Sequence, residues 1–107
     1  MGTNSIPALT ETVYYILLTL QKPMHGYGIM QNIKSITQSR INMGAGTLYG
    51  ALSTLQAKGY IEEHENSEPG KKEYIITHQG LEVLKDEMKR LQELLDNGKV
   101  YYKEDVV

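Results

Sequence analysis

Apolar side chains recur three and four residues apart in four separate stretches of the chain, and each stretch reads as a helix. From Pro7 to Leu20 the repeating positions are Leu9, Val13, Ile16, Leu17 and Leu20, which share one helical face. Pro7 suits a first turn, where its missing N–H costs no intrahelical bond. Tyr14, Tyr15 and Leu18 widen the apolar surface beyond one stripe. A helix of that kind needs neighbours on two sides, and the second is expected to be another subunit.

The segment Gln21 to Gly28 breaks and restarts the pattern, with Lys22-Pro23 closing one helix and His25-Gly26 opening the next. The second helix runs to about Thr37, and Ile29, Met30, Ile33 and Ile36 form its inner face. After a polar, turn-prone run from Thr37 to Gly46, the stretch Gly46 to Lys58 carries Leu48, Leu52 and Leu55 at steps of four and three, with Ala51 between them. Gly59 supplies a left-handed stop. The outward face of this third helix then holds Thr47, Gly50, Ser53 and Thr54, with Tyr49 at its flank. Such small, hydrogen-bonding side chains can lie close in a major groove.

Two extended runs follow, Tyr60 to Asn66 and Lys72 to Thr77, around Glu68-Pro69-Gly70-Lys71. Pro and Gly stand where a type II turn wants them, so the pair reads as a hairpin with Lys71 and Lys72 at or just past its tip. Thr77 can cap a last, longer helix in which Leu81, Leu84, Met88, Leu91 and Leu95 alternate three and four apart, with Gly98 expected to end it. Two heptads are too few for a free-standing coiled coil, but enough to pack on the first helix and pair with a twin. The tail from Lys99 is polar apart from Val100, Tyr101, Tyr102 and the terminal valines, and carries no predicted element.

A helix leading straight into a hairpin is the order of a winged helix-turn-helix. The expected fold is mainly α with a small β-hairpin (α+β). It comprises a winged helix-turn-helix DNA-binding domain over residues 1–77, a dimerisation helix over 78–97 and a tail over 98–107.

Composition adjusts this picture in three ways. A chain of 107 residues buries only roughly two-thirds of its unfolded surface, so dimerisation would add needed burial. The absence of cysteine excludes disulfides, thiolate metal sites and cysteine nucleophiles. The formal charge of −2 is unevenly placed: up to Tyr60, Lys22, Lys34, Arg40 and Lys58 stand against Glu11 alone, whereas beyond it seven Lys/Arg face twelve Asp/Glu. The acid can therefore face away from DNA, although the basic surface is thin and affinity should be modest and salt-sensitive. With Ile6 where a myristoylation pattern needs Ser or Thr, and no leader or long apolar span, a soluble, cytoplasmic protein without membrane attachment is expected.

Candidate chemistry elsewhere is weak. His25, His64 and His78 lie at no ligand-like spacing, and no His-x-x-x-His pair exists, so no metal site is expected. Glu62, Glu63 and Glu65 fall on an exposed strand with no nucleophile fixed beside them and read as solvated surface. Gly44, Gly46 and Gly50 lack the Gly-Lys-Ser/Thr ending of a phosphate loop and read as turn and close-approach glycines. Tyr27, Tyr60 and Tyr74 read as core-edge residues with outward hydroxyls, while Tyr14 and Tyr15 suit either dimer packing or pocket lining. Neither a cofactor nor enzymatic activity is expected.

Three blocks, MHGYGIMQNI at 24 to 33, GTLYGALSTLQAKGYI at 46 to 61 and KKEYIITHQG at 71 to 80, together resemble the PadR family of bacterial transcriptional regulators, in the order and spacing of that family. The resemblance runs from Leu9 to about Leu95 and is similar in length to the small subfamily with one C-terminal helix. It implies that the second block is the recognition helix, that the hairpin is the wing, and that the last helix joins the first in a two-fold dimer. Tyr49 matches the aromatic of the family's Leu-Tyr-Pro pattern, which lies at the DNA backbone, and Lys71 and Lys72 match its basic wing. Gly50 stands where the family carries proline, adding backbone freedom early in the helix.

The expected partners are double-stranded DNA and a second copy of the chain. Thr47, Tyr49, Gly50, Ser53, Thr54, Lys71 and Lys72 face DNA in this reading, and Val13, Tyr14, Leu17, Leu84, Met88, Leu91 and Leu95 face the twin. The resemblance also implies repression of nearby genes and, in some members, a flat aromatic effector between subunits. The drug-binding type uses a tryptophan in the C-terminal helix, where this chain offers Leu91. The rival reading is a winged helix that binds protein, since the fold alone does not settle function. It would require an apolar outward face on the third helix, and Thr47, Ser53 and Thr54 there are polar.

Overall fold

The computed structural model describes residues 8–64 and 71–104, which form four helices and a three-stranded antiparallel sheet. Helix α1 (Glu11–Thr19) starts where the Thr10 hydroxyl accepts from the Val13 amide at 3.1 Å. This start is later than the periodicity suggested. Residues 8–10 precede the helix, because a threonine that caps the amide three residues on fixes the boundary itself. Pro7 lies outside the described residues.

Strand β1 (Met24–His25) leads directly into α2 (Gly26–Ile36), and the His25 ring serves as N-cap by accepting from the Gly28 amide at 3.0 Å. Ile29 and Ile33 are fully buried, but Ile36 is 56% exposed. Its helical phase is correct, yet it sits on the final residue of α2, beyond the packed part of the helix. The following turn needs left-handed backbone at Gln38 and Ser39 (φ 52° and 67°). Two ties hold that turn: Thr37 donates to the Ile33 carbonyl at 2.8 Å and accepts from the Ile41 amide at 3.1 Å, and Arg40 forms a forked ion pair with Glu11 of α1.

Helix α3 (Ala45–Ala57) places Leu48, Leu52 and Leu55 in the core. It ends at Gly59, whose φ of +80° is the left-handed stop expected there. Strands β2 (Ile61–Glu63) and β3 (Glu73–Ile76) pair with Ile61 opposite Ile76 and Glu63 opposite Tyr74. The proposed type II turn at Glu68 to Gly70 lies outside the described residues, as do Glu65 and Asn66. Strand β1 pairs on the other side of β3, with Met24 opposite Tyr74, so the order is β1-β3-β2. A two-residue strand leaves no periodic signal, which is why the pattern showed only a hairpin.

Thr77 joins two elements through one hydroxyl, which donates to the Gly59 carbonyl at 2.7 Å and accepts from the Gly80 amide at 3.0 Å. It thereby caps α4 (His78–Tyr101). Gly80 is required here, since a Cβ would overlap the Tyr60 carbonyl oxygen. The first part of α4 buries Val83, Leu84 and the Glu87 side chain, while residues 91–101 are exposed throughout. Gly98 does not end the helix. It lies inside α4, where glycine costs about 1 kcal/mol relative to alanine, and the helix stops at Tyr102, whose backbone turns extended (ψ 129°). The predicted division into a helix over 78–97 and a tail over 98–107 therefore falls four residues short of the observed helix end at Tyr101.

Thirteen buried residues, from Ile16, Leu17 and Leu20 of α1 and its end to Val83 and Leu84 of α4, form one core. The Ile76 amide donates to the Leu20 carbonyl at 2.8 Å and the Thr77 amide to the Tyr60 carbonyl at 3.0 Å, fixing the sheet against α1 and the end of α3.

Candidate nucleic-acid interface

The core side of α3 fixes the direction of its opposite side. With Leu48, Leu52 and Leu55 inward, Thr47, Tyr49, Gly50, Ser53 and Thr54 are all exposed. Gly44, Gly46 and Gly50 have nothing within 4 Å of where a Cβ would stand. Packing therefore does not demand glycine at any of them, although glycine at Gly46 and Gly50 within the helix costs about 1 kcal/mol each. Bare backbone on this face is what allows another molecule to approach α3 closely. The Thr54 hydroxyl donates to the Gly50 carbonyl at 3.2 Å, leaving its lone pairs outward as acceptors.

Beside this face is a concave groove of about 550 Å³, lined by His25, Gly26, Tyr27, Tyr49, Lys71, Lys72 and Tyr74. Three regions build it: the junction of β1 and α2, the N-terminal half of α3, and the start of β3 with the two lysines before it. The Tyr49 ring lies over Gly26, where a Cβ would overlap its hydroxyl. The His25 Nδ1 is committed as an acceptor from the Gly28 amide, which leaves Nε2 to carry the proton of the neutral ring. Burial raises the pKa of the Tyr74 phenol above its ordinary value, so it remains a neutral donor. A helix N-terminus, two lysines and tyrosine hydroxyls converging on one concavity suit an anion. The sequence reading singled out Tyr49, Lys71 and Lys72 but not the His25-Gly26-Tyr27 turn that completes the groove. The His-Gly-Tyr-Gly run lies inside the first block of the family resemblance, but its spacing alone signals a helix start and not a groove. Tyr27 is 65% exposed, which corrects its expected place at the core edge.

The two wing lysines differ. Lys72 Nζ lies 3.3 Å from Glu63 Oε2, with both side chains at least half exposed. Glu63 is thus the direct neighbour of a cation and not only solvated surface. Lys71 has no salt bridge among the described residues.

On the far side of the molecule, Leu17 and Leu84 are buried in the chain's own core. This removes them from the surface that a second copy could touch, because their helical phase points them into the chain's own core. Val13 and Tyr14 are half-buried at the core edge, whereas Met88, Leu91 and Leu95 are exposed, together with Leu94, Val100 and Tyr101. Glu87 is buried against Arg90, with contacts at 2.7 and 2.9 Å. The guanidinium hydrogen bonds hold its carboxyl below the ordinary glutamate pKa. Tyr14 and Tyr15 meet edge to face, their ring centres 5.6 Å apart. Among the described residues no three His, Asp or Glu side chains gather as a metal site, and no helix is long and apolar enough to cross a membrane.

Comparison with known proteins bears on this arrangement. The family model described as the transcriptional regulator PadR-like family matches residues 13–86, from α1 through the first part of α4. The chain belongs to that family. This PadR-like protein is also 31% identical over 68 residues to the transcriptional regulator YqjI of Escherichia coli (strain K12), covering 64% of this chain and 32% of that protein. It is 35% identical over 80 residues to an uncharacterised 37.1 kDa protein in transposon TN4556 of Streptomyces fradiae, covering 74% of this chain and 21% of that one. The matched stretch thus spans a fifth to a third of these longer relatives. Among solved structures, a transcriptional regulator from Clostridium thermocellum superposes with a TM-score of 0.74 at 26% identity, covering 86% of this chain and 90% of that chain. The PadR-like fold extends over both the winged-helix elements and the C-terminal helix.

Proposed function

We propose that this PadR-like chain represses transcription by binding a pseudo-palindromic operator as a homodimer. In this reading each α3 enters a major groove, the two grooves lying about one helical turn apart. Thr47, Gly50, Ser53 and Thr54 meet base edges, while Tyr49 and the groove beside it take a backbone phosphate with Lys71 and Lys72. The observation that carries the reading is the outward face of α3, polar, glycine-bared and flanked by a cationic groove. A protein-docking helix would show an apolar face instead.

Dimerisation is supported by the exposed row Met88, Leu91 and Leu95 on α4, an apolar face that water disfavours. For an aromatic effector the notch of about 300 Å³ lined by Tyr14, Tyr15, Glu87, Arg90 and Leu91 is a suitable place. The two tyrosines supply its aromatic wall in place of the absent tryptophan. The test is a fluorescence-anisotropy titration against DNA upstream of the chain's own gene, with random DNA as competitor, at two salt concentrations. Specific, salt-dependent binding with two chains per site is expected. Equal weak binding to both DNAs would favour a distant operator or a protein partner.

A further inference from the structure

Behind the outward face of α3 is a second concavity, separate from the cationic groove and bordering the notch beside α4 through Leu9, which lines both. It has a volume of about 280 Å³ and lies between the chain entering α1 and the C-terminal half of α3. Leu9, Val13, Ala51 and Leu55 make its apolar walls, and Lys58 and Tyr60 stand at its edge. The walls are aliphatic apart from the one tyrosine ring, so they suit a hydrocarbon chain better than a stacked aromatic. The salt bridges among the described residues engage Arg40, Lys72 and Arg90 and leave Lys58 without a carboxylate.

We propose that this cavity binds a short aliphatic monocarboxylate, with the hydrocarbon chain against Leu9, Val13, Ala51 and Leu55 and the carboxylate at Lys58 and the Tyr60 hydroxyl. The volume limits the ligand to a small one, near the lower end of ordinary ligand sites. Apolar walls remove the hydrocarbon from water, and the single cation selects an acid over an alcohol of the same length. Ala51, Leu55 and Lys58 belong to α3, and the exposed Thr54 also borders the cavity. An occupied cavity therefore touches the helix that faces DNA, and the ligand changes operator affinity by as much as it prefers one α3 position over another. That regulatory consequence rests on the DNA-binding reading above, whereas ligand binding is measured without DNA.

The experiment is an amide NMR titration of the full chain with octanoate and, separately, with 1-octanol. Octanoate should produce saturable shifts centred on Val13, Ala51 and Leu55. Lys58→Gln should weaken octanoate about tenfold while leaving octanol unchanged, as expected for loss of one charge-assisted contact. Ala51→Phe, which fills the cavity, should abolish both. No saturable shift up to millimolar octanoate, shifts centred on the exposed α4 leucines, or equal octanoate affinity in Lys58→Gln would each overturn the site. Once operator DNA is in hand, saturating octanoate should change its affinity; an unchanged affinity would overturn the regulatory consequence alone.

Discussion

The Tyr49 ring covers Gly26 so closely that no side chain fits between them. Helix α3 and the start of α2 thus share one surface, and the orientation of Tyr49 depends on a residue outside its own helix. Gly26→Ala should displace the flexible tyrosine while leaving the fold intact, and so lower DNA affinity without a large change in melting temperature. Anisotropy and circular dichroism on the same sample check this. Undiminished affinity would separate Tyr49 from the phosphate contact.

Lys71 and Lys72 removed together should weaken binding to all sequences and flatten its salt dependence. The Glu63 pairing makes their shares unequal. Lys71→Ala should reduce the slope of log affinity against log salt by about 0.9, the value for one lost phosphate contact on duplex DNA, and Lys72→Ala by less. Glu63→Gln should raise affinity, because Lys72 would no longer be shared with a carboxylate. A Glu63→Gln variant with lower affinity would show that the pair orients Lys72 instead of competing for it.

Ser53→Ala and Thr54→Ala should alter sequence preference, each lost base contact costing on the order of 1–3 kcal/mol on the specific site. Thr54 already donates to Gly50, so it should prefer a base-edge donor. Competition against operators changed one pair at a time measures this. Equal losses on specific and random DNA would remove both residues from base reading.

Leu91→Glu and Leu95→Glu should yield folded monomers, because both positions are exposed in the single chain and a charge is buried there only between subunits. Leu84→Glu should unfold the chain instead, since Leu84 is 4% exposed. Light scattering with circular dichroism distinguishes the two results. A dimeric Leu91→Glu would move the interface elsewhere.

Glu87 gives the fold a defined acid sensitivity. Its folded pKa is depressed, so its stabilising effect is complete above the ordinary glutamate value and is lost as pH falls through the lower folded value. Glu87→Gln should lower stability by about 1–3 kcal/mol near neutral pH, the usual range for a hydrogen bond to a charged group. Acidification below the ordinary glutamate value should narrow the difference between the two proteins. The exposed Glu11 carboxyl, also lowered by its Arg40 partner, titrates in both and cancels. A gap that stays constant with pH would mean that the Glu87 charge is not what stabilises.

Long periodic segments were legible from the sequence because helical phase survives without knowledge of neighbours. This is why α2, α3, the Gly59 stop and the Thr77 cap were read correctly. Features decided by a neighbour were not. Leu17 and Leu84 fit an interface stripe, but the chain's own core encloses them. Ile36 has the right phase but overhangs the core. Gly98 looks like a stop, yet the chain keeps right-handed helical backbone through it to Tyr101. Strand β1 is too short to show a period, and the groove at His25-Gly26-Tyr27 exists only because the hairpin and α3 fold against it. Tyr49, Lys71 and Lys72 could be singled out one by one; their common concavity belongs to the tertiary structure.

The Thr77 hydroxyl, bonded both to the Gly59 carbonyl just past α3 and to the start of α4, makes the C-terminal helix a lever on α3. An arm of 24 residues is roughly 36 Å long, so a tilt of about 5° carries its far end about 3 Å. In the proposed dimer, gearing would run both ways: a change of a few ångströms where two arms meet would turn each α3 by a few degrees, and a DNA site that favours one α3 angle would select one arrangement of the arms.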